Sequence, residues 1–179
     1  MAIELSTITF TEQHDIVPVS GVEQIFNTGI ANTLAGGDII NGESGNSIPG
    51  VGVPAPNGGV VNTGTLNTEG GNDRLKGIFN DQTNNFFTGY GIYNVKGIID
   101  TGDGNDILTG ILDTQNQNFQ YGIYNENSTI DTGNGDDTII SINNITNAPS
   151  TSSIPGIYSM GSISRGSRGK KVSRVHKVS

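Results

Sequence analysis

Residues 101–110 read TGDGNDILTG, and three other segments of the chain align with this stretch without gaps. They are TLAGGDIING from Thr33, TEGGNDRLKG from Thr68 and TGNGDDTIIS from Thr132. Thr is always first, Gly fourth and Asp sixth, and the eighth residue is always aliphatic. The sixth-position aspartates follow one another at intervals of 35, 33 and 31 residues: Asp38, Asp73, Asp106 and Asp137. This period of about 33 residues indicates that the chain stacks copies of one structural unit.

Short apolar runs precede the copies at matched positions, so the repeat extends beyond the turn itself. The runs are Ile25-Phe26-Asn27, Val60-Val61-Asn62, Ile92-Tyr93-Asn94, Ile123-Tyr124-Asn125 and Ile157-Tyr158-Ser159. Such runs between glycine turns are typical of strands, and strands this short bury enough surface only when they stack about 4.8 Å apart. We therefore predict an all-β fold, a right-handed parallel β-helix or β-roll solenoid of four to five coils with a ladder of stacked asparagines.

The repeat also divides the chain into three parts. Residues 1–24 precede the first complete copy, and we predict that they form an N-terminal cap. Residues 25–164 form the solenoid. Residues 165–179 contain six of the nine Lys and Arg residues and no acid, and we predict a disordered basic extension. The alternative is that Lys170, which follows Asp137 by one period, closes the aspartate column.

Composition and charge narrow the partners of the chain. The formal net charge is -8, but residues 1–164 carry 17 acids against three bases, a net of -14. Such a body favours cations and argues against nucleic acid as a partner. There is no Cys, which excludes disulfides and thiolate metal sites. The N-terminus has no apolar signal segment and no stretch is long enough to cross a bilayer, so we expect neither a cleaved leader nor a membrane span.

The turn residues suit a hard cation. Glycine allows the chain to curl so that successive carbonyl oxygens face one way, and the aspartate adds an anionic oxygen. One turn supplies too few oxygens for Ca²⁺, which takes about six to eight, whereas two stacked turns supply enough. We therefore predict calcium sites between neighbouring coils, at the pairs Asp38/Asp73, Asp73/Asp106 and Asp106/Asp137.

The stretch TGDGNDILTG resembles the repeats-in-toxin (RTX, hemolysin-type) nonapeptide G-G-x-G-x-D-x-U-x, with Thr in place of the first Gly. The phrase GIYN followed by IDTGxGxD is also similar to repeats of cyanobacterial predicted secreted proteins of this type. The resemblance implies Ca²⁺ ligands at Gly102, Gly104, Asp106, Gly133, Gly135 and Asp137, and less closely at Asp73 and Asp38, where Glu69 and Leu34 replace the second Gly. It departs from the family in having one turn per 33 residues rather than about one per nine.

The predicted function is a calcium-binding structural or export module, secreted without a cleaved signal peptide and folded by the ion. No nucleophile or acid–base pair stands out from the repeat, so we do not expect an enzyme. The alternative is an adhesion module that binds glycans or a cell surface and uses calcium only structurally. Tyr93, Tyr124 and Tyr158 recur in register, and we interpret them as a packing column. Open solenoid ends also invite end-to-end self-association.

Overall fold

The computed structural model describes residues 2–19, 23–45, 57–82, 88–115, 121–146, 155–164 and 171–178. Within these ranges every regular element is a β-strand except one 3-10 helix, Leu5–Thr7. The strands are β1 (Ala2–Glu4), β2 (Ile16–Val17), β3 (Gln24–Asn27), β4 (Ile30–Asn32), β5 (Ile39–Ser44), β6 (Asn57–Asn62), β7 (Thr65–Asn67), β8 (Arg74–Asp81), β9 (Gly89–Val95), β10 (Ile98–Asp100), β11 (Ile107–Thr114), β12 (Tyr121–Glu126), β13 (Thr129–Asp131), β14 (Thr138–Ile145), β15 (Ile157–Ser159), β16 (Ser162–Ser164) and β17 (Lys171–Val178).

The strands form three parallel sheets that run along the molecule. The first sheet has the order β1-β3-β6-β9-β12-β15, the second β4-β7-β10-β13-β16, and the third β2-β5-β8-β11-β14-β17. The chain therefore visits the three sheets in turn and then returns one strand further along. We call β3–β5 winding 1, β6–β8 winding 2, β9–β11 winding 3, β12–β14 winding 4 and β15–β17 winding 5. The predicted fold class, an all-β parallel solenoid, is confirmed.

Matched side chains from successive windings build the core. The first sheet contributes one buried row, Ile25, Val60, Ile92, Ile123 and Ile157, and the third sheet another, Ile40, Leu75, Leu108 and Ile139. The second sheet adds Ala31, Leu66, Ile99 and Ile130. Each aliphatic residue thus packs on its own equivalent one strand spacing away, which is how strands of three residues come to share a continuous core.

The predicted asparagine ladder is present beside this core. Asn27, Asn62 and Asn94 each donate through Nδ2 to Oδ1 of the next asparagine, at 2.8, 2.7 and 2.8 Å. The last member, Asn125, donates to the hydroxyl of Ser159 at 3.2 Å. All four amides are fully buried, so these bonds satisfy polar groups that would otherwise oppose burial. Oδ1 of Asn27, at the start of the ladder, has no hydrogen-bond partner among the described residues.

The segment predicted as a cap is an incomplete winding. Strand β1 pairs with β3 and β2 pairs with β5, while Ser6 of the 3-10 helix packs against Gly29 just before β4. Leu5, Phe10 and Val17 are buried in the main core. The cap therefore closes the N-terminal end by imitating the winding that follows it.

The C-terminal segment differs from the prediction of a disordered tail. Lys171–Val178 form β17, which pairs with β14 in parallel register over its whole length. The register sets Val172, Val175 and Val178 opposite Ile139, Ile142 and Ile145. The spacing of aliphatic residues in β14 therefore continues in β17. The repeat was not recognised there because the segment is rich in basic residues. Lys170 lies outside the described residues.

Candidate functional site

The four predicted turns have the same backbone conformation at their second position. Leu34, Glu69, Gly102 and Gly133 have φ angles of 66°, 58°, 73° and 60°. This left-handed region is unfavourable for residues with a Cβ atom and costs them roughly 1–2 kcal/mol. The turns of windings 3 and 4 therefore have glycine, the residue that this conformation favours. The turns of windings 1 and 2 adopt the same conformation with a strained residue, Leu34 or Glu69.

The fourth-position glycines are required by close stacking of the backbones. A Cβ atom built on Gly135 would lie 1.4 Å from the carbonyl oxygen of Gly104, and one on Gly104 would lie 1.4 Å from that of Gly71. A Cβ atom on Gly71 would lie 1.3 Å from the carbonyl oxygen of Gly36. Not even a methyl group fits on this side of neighbouring turns.

The sixth-position aspartates form one buried column, as their spacing predicted. The backbone N–H of Asp38 donates to Oδ1 of Asp73 at 2.7 Å, and Asp73 and Asp106 repeat the bond to the next winding at 2.8 and 3.1 Å. None of the four carboxylates is more than 2% exposed. Each aspartate thus ties its own winding to the preceding one through a charge-assisted hydrogen bond.

The other carboxylate oxygen is bound by the threonine at the first position of the same turn. The hydroxyl groups of Thr68, Thr101 and Thr132 donate to Oδ2 of Asp73, Asp106 and Asp137 at 2.7, 2.7 and 3.0 Å. The recurring threonine was visible in the sequence, five residues before each aspartate, but its role as the partner of the carboxylate was not. The two ends of these three turns are therefore joined by a buried hydrogen bond.

A fifth aspartate, Asp15, belongs to the column, and the sequence pattern did not predict it. The N–H of Asp15, in the cap, donates to Oδ1 of Asp38 at 2.8 Å, and the carbonyl of Asp15 accepts from Ile39. Its own Oδ2 accepts from the N–H and hydroxyl of Thr11 at 2.8 and 3.1 Å. Residues 11–15 contain no Gly, and Asp15 lies only 23 residues before Asp38, so neither motif nor period identified it.

Winding 1 differs from the three that follow. Oδ2 of Asp38 and the hydroxyl oxygen of Thr33 are buried and have no hydrogen-bond partner within the described part of the chain. In windings 2–4 the equivalent atoms bond each other. The turn of winding 1 therefore leaves an anionic oxygen and a neutral oxygen unsatisfied inside the fold.

The column concentrates negative charge in a poorly solvated place. Burial raises the pKa of the Asp106 carboxyl to about 6, and the charges of Asp73 and Asp137 act in the same direction. The pKa of Asp73 is raised as well, mainly by burial and also by the charge of Asp38. Among the described residues, no basic side chain offsets either shift. The charged column is therefore destabilising unless a cation or protons neutralise it.

These contacts decide which windings suit a calcium ion. In windings 2–4 both carboxylate oxygens already accept a hydrogen bond, and an ion between two aspartates would have to displace donors or use the remaining lone pairs. Nowhere in the described ranges do three acidic or histidine side chains meet closely enough to hold a metal together. Winding 1 fits better, because Asp38 and Thr33 offer two buried oxygens without partners.

A second cluster contains all five tyrosines of the chain and lies on the first sheet. Tyr93, Tyr124 and Tyr158 stack with ring centroids 5.3 and 4.8 Å apart and planes 4° and 8° from parallel. Tyr90 and Tyr121 tilt against this stack. The Tyr124 hydroxyl donates to Oε2 of Glu126 at 2.7 Å. The rings cover one another's faces, which favours the packing interpretation.

Comparison with known proteins does not identify a family: no family model, curated protein or solved structure matches the chain. In the ranges that the structure describes, no helix is long and apolar enough to span a bilayer.

Proposed function

We propose that this chain is a calcium-binding structural β-solenoid whose folding is coupled to the ion and which functions outside the cell. The carrying observation is the column of four buried carboxylates, which has no compensating basic group among the described residues and in which Oδ2 of Asp38 also lacks a hydrogen-bond partner there. A buried charge is stabilised by pairing or by coordinating a metal, and is otherwise relieved by protonation. Calcium is the ion of choice because every available ligand is an oxygen.

The resemblance to RTX repeats gives additional support. It rests on Gly102, Gly104, Asp106 and Leu108 and on their counterparts in the next turn. Export as an unfolded chain and folding on meeting extracellular calcium would follow from such coupling.

Two measurements test calcium binding directly. Calorimetric titration of the metal-free protein with CaCl₂ should give binding heat that MgCl₂ does not reproduce at the same concentrations. Chelation should lower the midpoint of thermal unfolding, followed by circular dichroism, and added calcium should restore it. No binding heat together with an unchanged midpoint would rule out the proposal.

The tyrosine cluster is the one observation that favours the adhesion alternative. A sheet face that gathers five tyrosines and Glu126 offers hydroxyl groups and ring edges to a glycan, although most ring faces are covered. Tyr158 ends the stack, so its ring is the one to remove. Glycan binding that is lost in Tyr158→Ala but retained in Asp106→Asn would favour adhesion, and absence of any array signal would reject it.

A further inference from the structure

The turn of winding 1 combines a charged and a neutral oxygen that the rest of the protein does not satisfy. Asp38 is 1% exposed and Thr33 is fully buried, yet Oδ2 of the first and the hydroxyl oxygen of the second lack partners within the described ranges. Windings 2–4 close the same two positions with hydrogen bonds of 2.7–3.0 Å. The difference lies in one side-chain pair on an otherwise repeated backbone.

An unpaired carboxylate oxygen inside a protein calls for a positive partner. Leaving it without one costs more than leaving a neutral acceptor unpaired, because the desolvated charge is not compensated. A hard cation removes that cost and accepts the threonine oxygen as a neutral ligand. A cation in windings 2–4 would have to displace the donors that already satisfy these oxygens or use the remaining lone pairs.

Backbone groups of the N-terminal cap also contact the turn of winding 1. The N–H of Asp15 donates a hydrogen bond to Oδ1 of Asp38. Oδ2 is therefore the oxygen of that carboxylate that lacks a partner among the described residues. The carbonyl oxygen of Gln13 lies so near Gly36 that a Cβ there would be 2.6 Å away. Residues 11–15 therefore cover the turn of winding 1, and an ion bound at Asp38 would help to fix the cap on the solenoid.

We infer that calcium binds at winding 1, with a stoichiometry of one ion per chain, through Oδ2 of Asp38 and the hydroxyl oxygen of Thr33. Asp73, Asp106 and Asp137 serve as ladder acceptors and bind no ion. This inference rests on the proposed calcium binding, whose sites it counts and locates. It differs from a calcium ion between each pair of windings, which predicts three sites and gives Asp106 a part in two of them.

The matched variants Asp38→Asn and Asp106→Asn separate the two arrangements. Both replacements keep the Oδ1 acceptor for the neighbouring N–H and remove the charge. Calorimetric titration of the wild-type protein with CaCl₂ should give a stoichiometry near one. Asp38→Asn should lose at least tenfold in affinity, and Asp106→Asn should change it less than threefold.

The other outcomes of the titrations separate failure of this inference from failure of the proposed calcium binding. A stoichiometry near three, or a large loss of affinity in Asp106→Asn, would overturn the inference and leave the proposed calcium binding standing. No binding heat in the wild-type protein would overturn both.

A threonine pair covers the case in which Asp38→Asn does not fold. Thr33→Val removes the second ligand and retains the shape of the side chain, and Thr101→Val is its counterpart in winding 3. With folding verified by circular dichroism, calcium affinity should fall several-fold in Thr33→Val only. Equal affinities in the two variants would contradict the assigned site.

Discussion

The hydroxyl of Thr101 donates a 2.7 Å hydrogen bond to Oδ2 of Asp106, and neither residue is more than 2% exposed. The bond joins the first and sixth positions of a turn, and the N–H of Asp73 occupies the other oxygen of the same carboxylate. One aspartate thereby closes its own turn and connects two windings. This double use of the carboxylate recurs in windings 2–4 and stabilises the turn in each of them.

Thr101→Val should destabilise the protein, because the buried Oδ2 of Asp106 loses its hydroxyl donor while the side-chain shape is preserved. The expected loss is about 1–3 kcal/mol. Urea unfolding followed by circular dichroism measures it. Thr63→Val is the control, since Thr63 is exposed and its replacement should change stability by less than about 0.5 kcal/mol. Equal effects of the two changes would contradict the role of the buried bond.

Stability in calcium-free buffer should fall as the pH rises from about 4 to about 6. The pKa of Asp106 is raised from 3.8 to about 6 in the fold, so the folded state holds this proton more tightly than the unfolded chain. Deprotonation above the folded pKa therefore removes about 3 kcal/mol of stability. Asp73, whose pKa is also raised, acts with the same sign. Urea unfolding in chelator between pH 4 and 7 should show the decrease.

Asp106→Asn is the control for that pH dependence. The amide keeps the acceptor for the Asp73 N–H and cannot ionise, so the slope of stability against pH should become smaller and the variant should be more stable than the wild type at pH 7 without calcium. A variant with the wild-type slope would show that the titrating group lies elsewhere.

Gly135→Ala should be among the most damaging single changes in the chain. Its Cβ would lie 1.4 Å from the carbonyl oxygen of Gly104, and the residue has a φ of 154°. We expect a loss of about 3 kcal/mol or more. Gly70→Ala is a sharp control, because its Cβ would have only Asp103 O at 3.7 Å for a neighbour. Thermal unfolding should separate the two, and a well-folded Gly135→Ala would contradict the close stacking.

Glu69→Gly should stabilise the fold. Glu69 has a φ of 58°, the conformation that its equivalents Gly102 and Gly133 adopt without a Cβ atom. Relief of this strain should contribute roughly 1 kcal/mol, reduced by the greater freedom of glycine in the unfolded chain. Glu69→Ala removes the same charge and keeps the Cβ, so it should not reproduce the gain. Equal stability of the two variants would attribute the effect to charge.

The period, the strands and the column of aspartates could be predicted from the sequence. A stacked repeat places equivalent residues one above the other, and this holds for any shape of the coil. It could not show which atoms each carboxylate contacts. Spacing relates Asp73 to Asp106 across windings, but the bond from Thr68 to Asp73 depends on which way both side chains face. The same limit applies to Thr33 and Asp38, which have the sequence pattern of the pair without its bond.

Two segments were not recognised as parts of the repeat in the sequence, because they occupy repeat positions in the structure without the repeat's characteristic residues. Asp15 occupies the place of a sixth-position aspartate although no glycine precedes it, and it is recognisable only from its bond to Asp38. Lys171–Val178 continue the third sheet although their charge is opposite to that of the body. In both cases strand pairing depends on backbone and register, which tolerate a change of composition.

The asparagine ladder has one direction throughout, since Asn62 accepts from Asn27 and donates to Asn94. Windings 1–4 therefore each present the same amide donor to the next winding and the same amide acceptor to the preceding one. Adding or deleting one whole unit would rejoin the ladder with an unchanged bond and alter the length of the rod by about 4.8 Å. Gene duplication can thus adjust the reach of this protein in fixed increments without redesign of its interior.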